Sequence, residues 1–146
     1  IVRDIVESLR VQAEEKGVTI GLSAPEACVA VCDRQLISSA VSNLVLNAIR
    51  HSGSDEVSVS VSSSRNSVSI AVEDHGVGIP PKDRDRVFDR FYRADSARAL
   101  PGSGLGLSIV QRVVDAHGGR ATVARSARGG ALLRVELPAA APPPSL

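Results

Sequence analysis

A chain of 146 residues with 43% apolar content can bury one core without disulfide or metal staples. Its net charge of +1, with no dense Lys/Arg run, gives no electrostatic support for nucleic acid or a membrane surface as partner. No apolar run approaches the ~18 residues that span a bilayer, and no signal-peptide pattern opens the chain.

Ile1, Ile5, Val6 and Leu9 set an amphipathic helix over residues 1–16 that Gly17 ends. Because the chain opens inside that pattern, it is expected to be a piece of a longer protein. Val18–Ser23 alternates as a strand, Pro25–Glu26 turns, and Cys28–Cys32 is predicted as a second short strand. Asp33 is a plausible N-cap for a long helix to His51, in which Leu36, Ile37, Ala40, Val41, Leu44, Val45, Ala48 and Ile49 form one buried stripe. Ser52–Gly53 stops it. Val57, Val59 and Val61 alternate with Ser, and Arg65–Asn66 turns into Val68, Ile70 and Val72.

The Gly- and Pro-rich DHGVGIPP (74–81) follows, then a charged stretch from Lys82 to Ser103 with a short helical piece around Val87–Phe91. Helical periodicity returns from Leu105 to His117. Ala121–Arg125 and Ala131–Leu137 are predicted as strands joined at Gly129–Gly130, and the tail 139–146 is expected to be disordered. The order predicts a two-layer α/β sandwich with a mixed, mainly antiparallel sheet of about five strands and helices on one face, rather than a parallel βαβ fold.

The apolar content is mostly Ala, Val, Leu and Ile, so the core is predicted to be aliphatic. The three aromatics, Phe88, Phe91 and Tyr92, fall within five positions and suggest a local anchor. In a strand, Cys28 and Cys32 would stand ~13 Å apart at ~3.3 Å per residue. That is beyond the ~7 Å a disulfide tolerates, and free thiols are expected.

Three segments carry polar residues or glycines that a fold alone does not require: NLVLNAIRHS (43–52), DHGVGI (74–79) and GSGLGLSIV (102–110). Asn43 and Asn47 are i, i+4 neighbours at the margin of the apolar stripe. The residues alone leave Asn43 open between a satisfied polar pair and a functional role. The Asn47 carbonyl is a neutral hard oxygen suited to Mg²⁺, and Arg50, one turn on, could meet a phosphate or be an ordinary helix-end cation. Asp74 ends a strand, where its carboxylate can accept from an exocyclic amine while Gly76 and Gly78 let the backbone approach a ring. Gly102, Gly104 and Gly106 lead into a helix N-terminus, a natural phosphate cradle. A dinucleotide fingerprint is the wrong reading of these glycines, since no strand precedes them. His75 is expected to face solvent, and His117 to be an ordinary helix-end histidine whose charge the dipole favours.

Taken together, with RVFDRFYRAD (86–95) between the glycine motifs, these segments resemble the N, G1, F and G2 boxes of sensor histidine kinases. That group belongs to the gyrase, chaperone and histidine kinase ATP-binding superfamily, whose Bergerat-type fold carries three helices on one sheet face. The resemblance covers residues 1–138, His117-Gly118-Gly119 and Gly129-Gly130 included. It implies Asn47 as Mg²⁺ ligand, Asn43 beside it, Arg50 near the phosphates, and His51 next to the nucleotide. It implies that Asp74 holds the adenine amino group and that Gly76, Gly78 and Ile79 shape the base pocket. Phe88 and Phe91 would anchor a lid, Arg93 would reach toward phosphates or a partner domain, and Gly102, Ser103, Gly104, Leu105, Gly106 and Leu107 would close over the triphosphate.

Leu46, where the family usually has an acid, and Ala131, where it often has Thr, depart from the pattern. The implied activity is ATP-dependent phosphorylation of a histidine on a separate dimerisation domain, with a response regulator downstream and a membrane-anchored, homodimeric parent. None of His51, His75 or His117 has the acceptor context, so this chain alone, expected to be a monomer, is not expected to phosphorylate itself. A superfamily ATPase or serine kinase of the anti-sigma type would carry Glu four residues before the metal-binding Asn, where this chain has Asn43, which cannot act as a base. A non-catalytic nucleotide-sensing module is the third reading.

Overall fold

The computed structural model describes residues 1–24, 28–51, 53, 55–76, 78–84, 86–88, 106–127 and 129–139. Helix α1 (Val2–Glu15) buries Ile5, Val6, Leu9 and Ala13 on one face and exposes its charged residues. It ends at Gly17, whose φ of 73° suits glycine, with the Lys16, Gly17 and Val18 N–H groups turned back onto the Ala13 and Glu14 carbonyls. Strand β1 (Thr19–Ser23) follows. Helix α2 (Arg34–His51) starts as the sequence predicts: Asp33 Oδ1 accepts from the Leu36 N–H at 3.0 Å, a cap worth about 1 kcal/mol.

Residues 28–32 depart from expectation. Cys28, Ala30 and Cys32 are half-buried while Val29 and Val31 are 67% and 84% exposed, the alternation of a strand. Yet the segment joins no sheet. Its inward side chains, with Ile1, Val61, Val68 and Leu137, instead line a cavity of about 440 Å³. Alternation reports one covered side, here covered by the start of α1 and the helix-facing side of the sheet; it does not by itself imply a hydrogen-bonded ladder. Both thiols are free.

Strands β2 (Glu56–Ser63) and β3 (Ser67–Asp74) form the expected hairpin. A short helix, α3 (Pro81–Arg84), precedes a turn at residues 86–88, and the rest of the helical piece anticipated around Val87–Phe91 lies outside the described residues. Helix α4 (Gly106–Ala116) precedes β4 (Arg120–Arg125) and β5 (Ala131–Pro138). The sheet order is β1-β2-β3-β5-β4, antiparallel except for β1 and β2, which run parallel with α2 crossing between them. One βαβ unit is therefore built into a sheet that is otherwise mainly antiparallel, as predicted.

Helices α1, α2 and α4 cover one sheet face. Leu44, Val45, Val6, Val57, Val72, Val110, Val114 and Leu133 meet there, each under 2% exposed. The buried apolar residues described are all aliphatic, as composition required, and Phe88 packs against the core from its margin. Each fully buried Leu or Val contributes roughly 1.5–3 kcal/mol relative to exposure. The other face carries Ser58, Ser60 and Ser62, the polar half of the alternation in β2. None of the described helices is long and apolar enough to cross a membrane.

Candidate functional site

At the end of β3, Asp74 is 6% exposed, among the few buried polar residues. Its Oδ1 accepts from the Gly76 N–H at 3.0 Å and from the Ala131 N–H at 3.2 Å. Among the described residues none donates to Oδ2. A buried carboxylate is costly unless its oxygens are satisfied, so two backbone donors on one oxygen leave the other as a poised acceptor. The approach of the β4–β5 turn requires glycine: a Cβ on Gly130 would collide with the carbonyl and Oδ1 of Asp74. Gly78 adopts φ 75° and packs so tightly that a Cβ would lie 3.0 Å from the Gly129 carbonyl. The loop after β3 and the turn before β5 thus form one unit around the carboxylate.

On α2, Asn43 and Asn47 are both half-buried at the edge of the apolar stripe, and Arg50 is exposed one turn further on. A Cβ on Gly106, the first residue of α4, would lie 3.5 Å from Asn43 Oδ1. Asn43 therefore borders the start of α4. Ile79, Leu46 and Leu107 pack against the core from this side.

Residues 32–141 match the family described as histidine kinase-, DNA gyrase B- and HSP90-like ATPase. The chain belongs to that family. The sensor-like histidine kinase SenX3 of Mycobacterium tuberculosis is 38% identical over 143 residues, which is 95% of this chain and 35% of that protein. The chain thus spans about a third of that curated relative. The solved ATP binding domain of PrrB from Mycobacterium tuberculosis is 31% identical, with a TM-score of 0.76 over 94% of this chain and 93% of that one. Full-length ShkA, solved in complex with AMPPNP, is 29% identical with a TM-score of 0.83, over 96% of this chain and 30% of that one. The chain is a catalytic ATP-binding domain of the sensor histidine kinase type.

In this histidine kinase-type domain the structure brings Asp74, Gly76 and Gly78 together around the β4–β5 turn, and Asn43 together with Gly106, while Ile79 packs against the core. His51 closes α2, with its side chain outside the described residues, and Phe88 lies in the turn after α3. Phe91, Arg93, Gly102, Ser103, Gly104 and Leu105 lie outside the described residues, as do Pro25–Glu26, Ser52 and the tail beyond Ala139.

Two histidines correct the sequence reading. His75 does not face solvent: its side chain is 17% exposed and its Nδ1 lies 3.8 Å from Glu56 Oε2, because the Val57–Asp74 pairing sets the two residues side by side. His117 is not placed as a helix-end cation, since its Nε2 accepts a hydrogen bond from the Asp33 N–H at 3.0 Å. Sequence reasoning also missed Gly130 and Ala131 as builders of the Asp74 site. Ala131 stands out in the sequence only as a departure from the family's Thr, whereas its contribution here is a main-chain N–H that any residue but proline supplies. Beside them, buried Ser126 donates to Glu73 Oε1, tying the same turn to β3.

Proposed function

We propose that this domain binds Mg·ATP and presents the γ-phosphate to a histidine on a separate dimerisation domain of its parent protein. The observation that carries the reading is the Asp74 carboxylate, buried and fixed through one oxygen by two main-chain donors. An acceptor of that kind at the end of a strand suits the adenine amino group, and Gly76 and Gly78 keep the adjoining backbone bare for the ring. ShkA, similar over nearly all of this chain, binds AMPPNP, which supports the same ligand class here.

Asn47 fits Mg²⁺ by the chemistry of its donor. It is half-buried on the helix that borders α4, and its amide oxygen is neutral, as suits an ion that keeps waters and substrate phosphates as its other ligands. When bound, Mg²⁺ neutralises phosphate charge. The protein's own part in phosphoryl transfer is positioning and electrostatic support. Asp74 holds the base, Asn43 and Asn47 line the path toward α4, Arg50 offers a cation one turn beyond, and Gly106 opens the helix whose N–H groups face developing negative charge. Phe88 and Phe91 are proposed to anchor the lid, with Arg93 and Gly102, Ser103, Gly104, Leu105 and Leu107 completing it.

Asn43 disfavours hydrolysis and serine phosphorylation, because an amide cannot take a proton from water or a hydroxyl. In the parent we place this domain on the cytoplasmic side of a membrane-anchored homodimer that passes its phosphoryl group to a response regulator.

The test mixes the chain with the separately produced acceptor-bearing domain of its parent and γ-labelled ATP. Label on that domain's histidine, and none on this chain alone, is the expected result. ATP binding without any phosphohistidine would reduce the domain to a nucleotide sensor, and phosphate release without transfer would make it an ATPase.

A further inference from the structure

Helices α2 and α4 lie side by side and antiparallel, with two ties between them. At one end Asn43 borders Gly106. At the other, His117 Nε2 accepts from the Asp33 N–H at 3.0 Å while Nδ1 lies 2.7 Å from the Val113 carbonyl. Since Nε2 is the acceptor and Val113 offers only an oxygen, Nδ1 must carry the proton, and the ring is the neutral Nδ1–H tautomer.

The span from Asp33 to Asn43 is ~15 Å of helix at ~1.5 Å per residue, and that from Gly106 to His117 is ~16 Å. The two ties therefore bracket matching lengths. Asp33 is fixed in turn: its Oδ1 caps the Leu36 N–H and its carbonyl accepts from the Ile37 N–H, both at 3.0 Å. Between the ties the two helices bury aliphatic side chains including Val41, Leu44, Val110 and Val114, whose own packing supplies no polar pairing.

We propose that His117 is a positioning residue for nucleotide binding: a neutral hydrogen-bond acceptor that fixes how far α4 advances along α2, and so where Gly106 stands relative to Asn43 and Asn47. This rests on the proposed nucleotide site but assigns to it a residue at the opposite end of the helix pair. What matters is the acceptor, since a cation at this helix end would satisfy the dipole and still present N–H to N–H at Asp33.

The experiment compares three variants of the chain by Mg·ATP calorimetry, well below each melting midpoint, and reads the ring tautomer of the unaltered protein by two-bond 15N–1H correlation. His117→Gln keeps an acceptor and should bind ATP as the parent chain does. His117→Ala and His117→Lys should each weaken ATP by ~3–10-fold. The unaltered protein should show His117 as the Nδ1–H tautomer. Unchanged affinity in His117→Ala or His117→Lys, equal losses in His117→Gln and His117→Ala, or an Nε2–H or doubly protonated ring would each overturn the proposal. Absence of ATP binding by the unaltered chain would instead overturn the nucleotide-site reading, and the tautomer would still judge the tie.

Discussion

The main-chain N–H of Ala131 reaches Oδ1 of Asp74 at 3.2 Å, across 57 positions of sequence. That bond makes the acceptor strength of the site a property of the sheet rather than of the DHGVGI loop alone. It also separates two consequences of altering Asp74.

Asp74→Asn keeps an oxygen for Gly76 and Ala131 but replaces the free acceptor with an amide donor. Its melting midpoint should stay near that of the unaltered chain while ATP affinity falls by roughly 5–150-fold, the ~1–3 kcal/mol of a buried polar group left without its match. Asp74→Ala should lose affinity equally and also stability, by ~1–3 kcal/mol, because two donors are left without an acceptor. Calorimetry beside urea unfolding distinguishes them, and undiminished ATP affinity in both would remove Asp74 from the base site.

Gly130→Ala should destabilise the domain by ~1–3 kcal/mol, since its Cβ meets the backbone and carboxylate of Asp74. Gly129→Ala next door meets nothing within 4 Å and bears only the strain of φ 98°, about 1 kcal/mol. Urea midpoints should rank the pair in that order, and ATP affinity should drop further in Gly130→Ala.

Asn47→Ala should leave the fold unchanged, because the side chain is only half-buried at a helix margin. The gain in ATP affinity on adding Mg²⁺ should shrink by at least ~10-fold, the lower range for loss of even an outer ligand. Titrations with Mg²⁺ and with EDTA measure it; an undiminished Mg²⁺ effect would mean the ion is held elsewhere.

Leu44 is fully buried between Asn43 and Asn47 in sequence. Leu44→Ala should cost ~2–5 kcal/mol in equilibrium unfolding. Where the variant still folds, its loss of ATP affinity should be small beside that of Asp74→Asn, because the cavity forms on the core side of α2.

Much of the fold was legible because its signals are local. The α2 stripe from Ile37 to Ile49, the Asp33 cap and the Val-Ser alternation of β2 each follow from period and end chemistry over a few residues, although Leu36, expected in the stripe, is 44% exposed in the first turn of α2. So did the placement of Asn43 and Asn47 at the stripe's margin. What escaped depends on partners far along the chain. The Asp33–His117 bond joins positions 84 apart, and nothing in HGG distinguishes a helix-end cation from a neutral acceptor. The pairing that covers His75 depends on register between strands, which the short sequence around DHG does not contain. The strand predicted at Cys28–Cys32 joins no sheet, since side chains covered on one side by helix and sheet alternate in burial just as those of a paired strand do.

The β3–β5 pairing also has a consequence for the order in which the site is finished. Asp74 leaves the ribosome well before Ala131, and until β5 docks its Oδ1 has only the local Gly76 donor. Such a long-range closure comes late in folding, after the chain has met the entropy of bringing distant segments together. A nascent chain stopped short of residue 131 would lack the second main-chain donor that fixes the Asp74 carboxylate. Under the base contact proposed for Asp74, nucleotide binding would have to wait for β5.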